Sequence, residues 1–173
     1  MYHAIDRDSP TPSPAIDIAA VPAHLQPFDL TTFCAGLAAT RARPIALLPV
    51  YSRPPRGGCL PWFEATDTDY VLVEQNTTRL HRELLALHTV GHLLLAHQGR
   101  PVSADVLITQ WMPNLDWQRL RPLIGPVVYI AGPHAEAQAD AFAVEILHRV
   151  GRLTVPPRTH AAGADVARTG RPA

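Results

Sequence analysis

The sequence predicts an α+β fold in which a small, mostly antiparallel sheet packs against a buried helix and further helices. Three observations predict this class. Runs rich in β-branched and aromatic residues, at 60–65 and 69–74, are typical of strands. Segment 79–97 carries leucine on nearly all its faces, as a buried helix does. A further segment with apolar residues at helical spacing, 133–149, predicts a second packed helix.

The composition predicts one domain between two polar ends. We expect a disordered proline-rich arm at 1–26, a domain at 27–152 and a disordered tail at 153–173. The formal net charge is +0, from 15 basic and 15 acidic residues, which gives no electrostatic basis for direct binding of nucleic acid or of a membrane surface. Without a recognisable signal peptide or membrane span, a cytoplasmic location is expected.

The first half of the domain is predicted to contain one helix and three strands. Asp29 can cap a helix whose apolar positions include Leu30 and Cys34, so Cys34 is expected to be a core thiol. A strand follows at 43–50, where Pro44 and Pro49 confine it to a sheet edge or to a short length. The strands at 60–65 and 69–74 come next, after a loop that contains Cys59. A metal role for Cys59 is a minor alternative to a free thiol.

The second half is predicted to be helical. Asn76-Thr77-Thr78 opens the helix at 79–97, which Gly99 and Pro101 stop. Shorter helices are expected at 103–111 and 117–123. Gly132-Pro133 opens the last helix, since proline is favoured at a first helical position, and Gly151 ends it.

Two histidines on the 79–97 helix have the spacing of a metal site. His88 and His92 are four residues apart, so they share one helix face and can bind a single zinc ion. In the H-E-x-x-H signature of zinc peptidases, glutamate follows the first histidine and acts as the general base. Here that position is Thr89. The alternative is that both histidines are core residues bonded to polar partners.

Two further histidines on the same segment are expected to lie apart from this pair. His81 lies about 10 Å from His88 along the helix, too far to share the ion. It is predicted to be a cap or a core hydrogen-bonding residue at the helix start. The alternative is that it contacts a substrate or hydrogen-bonds a metal ligand. His97 is expected to turn away from His92 and to lie at the surface.

Two carboxylates continue the apolar face of the last helix. Glu136 and Asp140 extend the stripe that contains Ala139, Phe142 and Ala143. Buried carboxylates are costly unless they are paired or bind a metal. Glu136 is therefore a candidate third ligand, and Asp140 a candidate hydrogen-bond partner of a ligand histidine. The alternative is that both are solvated near the positive end of the helix dipole.

Two stretches of the chain resemble the ImmA/IrrE family of zinc metallopeptidases. Residues 87–97, LHTVGHLLLAH, are similar to the family's H-E-L-G-H-L-L-L-x-H stretch, and residues 136–143, EAQADAFA, to its downstream E-x-x-A-D/N-x-F-A stretch. Weaker matches to short actinobacterial members extend the resemblance over residues 29–149. They include Arg43-Pro44-Ile45, the segment 58–62, Asp69-Tyr70-Val71, His81 and the segment 112–116.

The resemblance implies a zincin-like minimal metallopeptidase fold with His88, His92 and Glu136 as zinc ligands. Active relatives cleave or antagonise XRE-type helix-turn-helix repressors in stress response, mobile elements or phage-like regulation. Thr89 departs from the family pattern, because a hydroxyl cannot accept a proton near neutral pH as a carboxylate does. Three hypotheses follow: a zinc-binding pseudopeptidase that acts on a repressor by binding, an active peptidase with a non-standard base, or a metal-free interaction domain.

Overall fold

The computed structural model describes residues 27–51, 62–64, 67–103 and 127–154, and also Asp105, Asp116, Gln118 and Pro122. The predicted arm at 1–26, the tail from 155 onward, Cys59 and nearly all of the two short predicted helices lie outside the described residues. The described part confirms the α+β class. Its elements, in chain order, are α1 (Leu30–Arg41), β1 (Ile45–Val50), β2 (Phe63–Glu64), β3 (Asp69–Glu74), α2 (Arg79–Leu94), β4 (Arg100–Ser103), β5 (Val127–Ile130) and α3 (Pro133–Arg149).

The main sheet has the strand order β1-β3-β2, with β3 in the centre. β1 pairs with β3 in parallel from Ile45↔Asp69 to Val50↔Glu74, whereas β2 pairs with β3 antiparallel over two residue pairs. The prediction of a mostly antiparallel sheet is therefore wrong for its longest pairing. The chain between β1 and β3 is long enough for the crossover that parallel strands need, and hydrophobic patterning does not reveal strand direction. The prediction that Pro49 confines β1 to an edge is confirmed among the described strands.

A second, antiparallel sheet was missed in the sequence. β4 pairs with β5 from Arg100↔Ile130 to Ser103↔Val127. Ser103 ends a strand here, whereas the sequence predicted it to start a helix. The run Val127-Val128-Tyr129-Ile130 is rich in β-branched residues and could have been recognised as a strand.

The helix starts follow the capping residues that the sequence indicated. Asp29 accepts a hydrogen bond from the backbone N–H of Thr32 at 2.7 Å, and Thr78 accepts one from His81 at 3.3 Å. Gly132 is the N-cap of α3, with Pro133 at its first position. The Asp29 and Thr78 side chains thus satisfy amide groups that have no partner within their helices.

A buried ion-pair cluster joins α1 to the sheet. Asp69, at the start of β3, is 1% exposed. Its carboxylate accepts hydrogen bonds from Arg41 and Arg43, each at 2.7 Å. Removing one partner of such a buried pair typically costs about 3–5 kcal/mol. The cluster therefore fixes the end of α1 against the start of the central strand.

The hydrophobic core lies where α2 and α3 meet each other and the sheet. α2 is buried continuously from Ala86 to Leu94, while Leu80 in its first turn is 41% exposed. The predicted apolar stripe of α3 is buried at every position: Ala139, Phe142, Ala143, Ile146, Leu147 and Val150. Leu153, which was predicted to belong to the tail, packs against this core. None of the described helices is long and apolar enough to cross a membrane.

Gly91 permits the close approach of α2 to α3. A Cβ atom at position 91 would lie 3.2 Å from the Ala139 Cα and 3.2 Å from the Phe142 ring. The Ala139 backbone cannot yield as a flexible side chain would. The absence of a side chain at Gly91 thus sets the separation of the two helices beside His88 and His92.

Gly91→Ala should destabilise the protein by about 1–3 kcal/mol, because the added methyl group forces the two helices apart. Gly36→Ala is the matched control, since Gly36 lies on α1 with no atom within 4 Å of the added Cβ. That substitution should stabilise by about 0.5–1 kcal/mol through helix propensity. Urea unfolding of both variants measures the difference, and equal effects at the two positions would contradict the account.

Candidate metal centre

α2 and α3 bring three metal-ligating groups together at their contact. The candidate ligand atoms of His88, His92 and Glu136 all lie within 4.8 Å of one another. His88 and His92 are buried, at 5% and 1% exposure, and Glu136 is half-buried in the first turn of α3. The cluster can therefore hold a metal ion.

The separations of the ligand atoms match a tetrahedral ion. Nε2 of His88 lies 3.0 Å from Nε2 of His92 and 3.2 Å from Oε2 of Glu136. Nε2 of His92 lies 3.5 Å from Oε1 of Glu136. Tetrahedral ligands at the usual zinc distance of about 2.0–2.1 Å are about 3.3 Å apart. The two distances to Glu136 end on different oxygens, so the three groups lie close to the spacing of ligands around one small cation.

Asp140 orients His88. Its Oδ1 lies 2.8 Å from Nδ1 of His88, one turn along α3 from Glu136. A carboxylate only accepts, so Nδ1 of His88 donates to it. The lone pair of the neutral ring is then on Nε2, the nitrogen that faces His92 and Glu136. Asp140 thus contacts His88, a candidate ligand, as the sequence predicted.

His92 is enclosed by aromatic rings. The indole of Trp62 stacks on it with ring centres 4.6 Å apart and planes 9° from parallel. Burial, together with the smaller effects of the neighbouring His88 and His97, lowers the pKa of His92 from 6.5 to about 3. The ring is therefore neutral at physiological pH, as a metal ligand must be.

His97 contacts His92, which corrects the expectation that it turns away to the surface. Nδ1 of His97 lies 2.9 Å from Nδ1 of His92, and its Nε2 lies 3.1 Å from Oε1 of Gln138. Burial lowers the pKa of His97, so its ring too favours the neutral form.

The reason for this correction is the early end of α2. The helix ends at Leu94 rather than at the predicted 97. Ala96 adopts a left-handed conformation with φ of 51°, and the N–H of His97 returns to the carbonyl of His92 at 3.1 Å. This is the hydrogen bond of a Schellman turn, which usually has glycine at the left-handed position. Alanine there costs about 1 kcal/mol, and no glycine signalled the turn in the sequence.

His81 is not part of the cluster. It lies exposed in the first turn of α2, where Nδ1 is 2.7 Å from the Thr77 hydroxyl. Cys34 is buried in the core, and burial raises the pKa of its thiol to about 12, so it is an inert core residue.

Thr89 directly follows His88 in α2. The side chain is completely buried, and its hydroxyl donates to the Leu85 carbonyl at 3.2 Å. Its hydroxyl proton is engaged by the helix backbone.

Neither Glu74 nor Glu83 occupies the place of the missing base. The Glu83 carboxylate pairs with Arg79 at 2.9 Å and lies 3.5 Å from Arg152. The Glu74 carboxylate accepts a hydrogen bond from the Asn76 N–H. The Glu74 carbonyl accepts one from Arg82, which lies about 9 Å from His88 along the α2 axis. Asp140 contacts Nδ1 of His88, whereas Nε2 of that ring faces His92 and Glu136.

Comparison with known proteins returned no match. No protein-family profile, curated protein or solved structure is similar to this chain at a significant level.

The metal-free protein should lose stability on mild acidification. Because the pKa of His92 is about 3 when folded and 6.5 ordinarily, the unfolded chain gains a proton between these values that the folded chain does not bind. This contribution is intact above pH 6.5 and is lost as the pH falls. The free energy of unfolding should drop by about 1–2 kcal/mol between about pH 7.5 and 5.

Urea unfolding in EDTA at the two pH values measures this drop. His92→Gln removes the titrating ring and should show a smaller fall. A wild-type stability that is constant or rises on acidification would contradict the prediction.

Proposed function

We propose that this chain is a zinc-binding regulatory protein with a metallopeptidase-like site, and that it acts by binding rather than by peptide hydrolysis. The observation that carries the proposal is the convergence of His88, His92 and Glu136 beside a threonine whose hydroxyl is bound to the helix backbone. The residues that would hold the ion are thus assembled, and the position that carries the general base in H-E-x-x-H sites has a hydroxyl instead of a carboxylate.

Zinc fits this donor set better than the hard cations do. Two imidazole nitrogens and one carboxylate form the ligand set of several catalytic zinc sites, whereas magnesium and calcium prefer oxygen ligands alone. The hydrogen bond from His88 to Asp140 supports the same assignment, since ligand histidines almost always donate their other N–H to such an acceptor. When bound, zinc supplies a Lewis acid that can polarise a carbonyl oxygen.

Loss of the base argues for binding as the activity. A positioned general base contributes typically about 10²- to 10⁴-fold to a hydrolytic rate. Glu74 and Glu83 are held elsewhere by hydrogen bonds and ion pairs. The site thus keeps the features needed to hold a metal and to bind a polar group, without those needed for fast cleavage.

The proposed partner is a helix-turn-helix repressor of the XRE type. The support for it is the resemblance of residues 87–97 and 136–143 to the ImmA/IrrE metallopeptidases. The balanced charge of the chain favours action through a protein over direct contact with DNA. Regulation would then follow from sequestering the repressor.

The purified protein, expressed without a histidine tag, should contain close to one zinc ion per chain. His88→Ala, His92→Ala and Glu136→Ala should each abolish stoichiometric binding, because each removes one of three protein ligands. His81→Ala is the matched control, since it removes an exposed histidine from the same helix. Elemental analysis and the shift of the melting temperature with EDTA measure the effect.

Two outcomes would contradict the metal assignment. One is a wild-type protein without metal and without a response to EDTA, as a metal-free interaction domain predicts. The other is a His81→Ala variant that loses as much zinc as His88→Ala.

A helix-turn-helix repressor encoded beside this chain should bind to it and remain intact, because Thr89 cannot act as the general base. Calorimetry measures the binding, and mass spectrometry detects cleavage. Thr89→Glu is the informative variant: cleavage by this variant alone would show that the carboxylate was the missing part. Cleavage by the wild type that EDTA abolishes would instead establish an active peptidase with a non-standard base.

A further inference from the structure

The hydrogen bonds behind His92 determine which of its nitrogens carries the proton. Oε1 of Gln138 only accepts, so Nε2 of His97 donates to it over 3.1 Å. The lone pair of His97 is then on Nδ1, which lies 2.9 Å from Nδ1 of His92. Nδ1 of His92 must therefore donate, and its lone pair is on Nε2, the nitrogen that faces His88 and Glu136.

This tautomer leaves the cluster without a proton of its own. In the neutral form that a metal ligand requires, Nε2 of His88 has a lone pair because Nδ1 donates to Asp140, and the Glu136 carboxylate accepts only. With Nε2 of His92 also a lone pair, three acceptors face one another at 3.0–3.5 Å. If the proton were on Nε2 of His92 instead, it could bond to His88 and Glu136 and no cation would be needed.

We propose that His97 is a positioning residue for the metal, which holds His92 in the tautomer that can bind an ion. Gln138 fixes the proton on His97, and the left-handed Ala96 folds His97 back onto His92. The end of α2 is thus part of the metal site. This inference rests on the proposed zinc binding. The tautomer of His92, however, is a property of the metal-free protein and can be tested there.

Nitrogen-15 NMR of the histidine rings in the metal-free protein tests the tautomer directly. In the wild type, His92 should carry its proton on Nδ1. In His97→Ala, the proton should move toward Nε2, where it can bond to His88. A wild-type His92 with its proton on Nε2 would overturn the inference, whether or not any variant folds.

Zinc affinity, measured by competition with a chelator, tests the consequence. His97→Ala should weaken binding by about 10- to 100-fold, as loss of a ligand's hydrogen-bond partner does. His97→Asn should restore part of the affinity, because its amide oxygen can accept from Nδ1 of His92. His134→Ala, which removes an exposed histidine from the start of α3, should leave affinity unchanged.

A matched pair at position 96 tests the helix end. Ala96→Gly keeps the left-handed conformation without strain and should retain wild-type zinc affinity. Ala96→Val disfavours that conformation, because a β-branched residue rarely adopts a positive φ, and should weaken binding with His97 still present.

The outcomes separate this inference from the proposed function. Equal zinc affinities of His97→Ala and the wild type would overturn the role of His97 and leave zinc binding standing. A wild type that binds no zinc would overturn the proposed function, while the NMR result would still decide whether His97 sets the tautomer.

Discussion

The close contact of α2 with α3 determines how the side chains of the candidate metal centre meet. Gly91 lets the Ala139 backbone approach the turn that separates His88 from His92. The same approach brings Glu136 within 3.2 Å of one histidine and 3.5 Å of the other. It also places Asp140 and Gln138, one on each side, where they can reach His88 and His97. A wider helix separation would pull Glu136 away from the two histidines. It would also break the hydrogen bonds from His88 to Asp140 and from His97 to Gln138.

The groups that support His88 and His92 differ in chemistry. His88 is supported by a carboxylate that is itself largely exposed, whereas His92 is supported by a neutral chain of His97 and Gln138 and is covered by Trp62. The Asp140 carboxylate places a negative charge beside His88. The neutral chain of His97 and Gln138 fixes the tautomer of His92 and places no charge beside that buried ring. Together they direct two lone pairs and one carboxylate to a single point, an arrangement that a cation stabilises.

The sequence predicted the parts of this fold that local rules control. Helix spacing placed Glu136 and Asp140 on the apolar face of α3, and the caps at Asp29 and Thr78 followed from residue type. Strand direction was missed because it depends on a crossover that patterning does not encode. His97 was missed because a left-handed alanine ended α2 without a glycine to announce it. Trp62 was recognised only as a strand aromatic, since its contact with His92 joins distant parts of the chain.

The central claim is that the two Nε2 atoms and the Glu136 carboxylate bind one zinc ion. X-ray absorption at the zinc edge tests this claim most directly. The account predicts two imidazole nitrogens at about 2.0–2.1 Å, with the remaining ligands oxygen at about 2.0–2.2 Å. A sulfur ligand at about 2.3 Å, or a shell of oxygen atoms without imidazole, would contradict it.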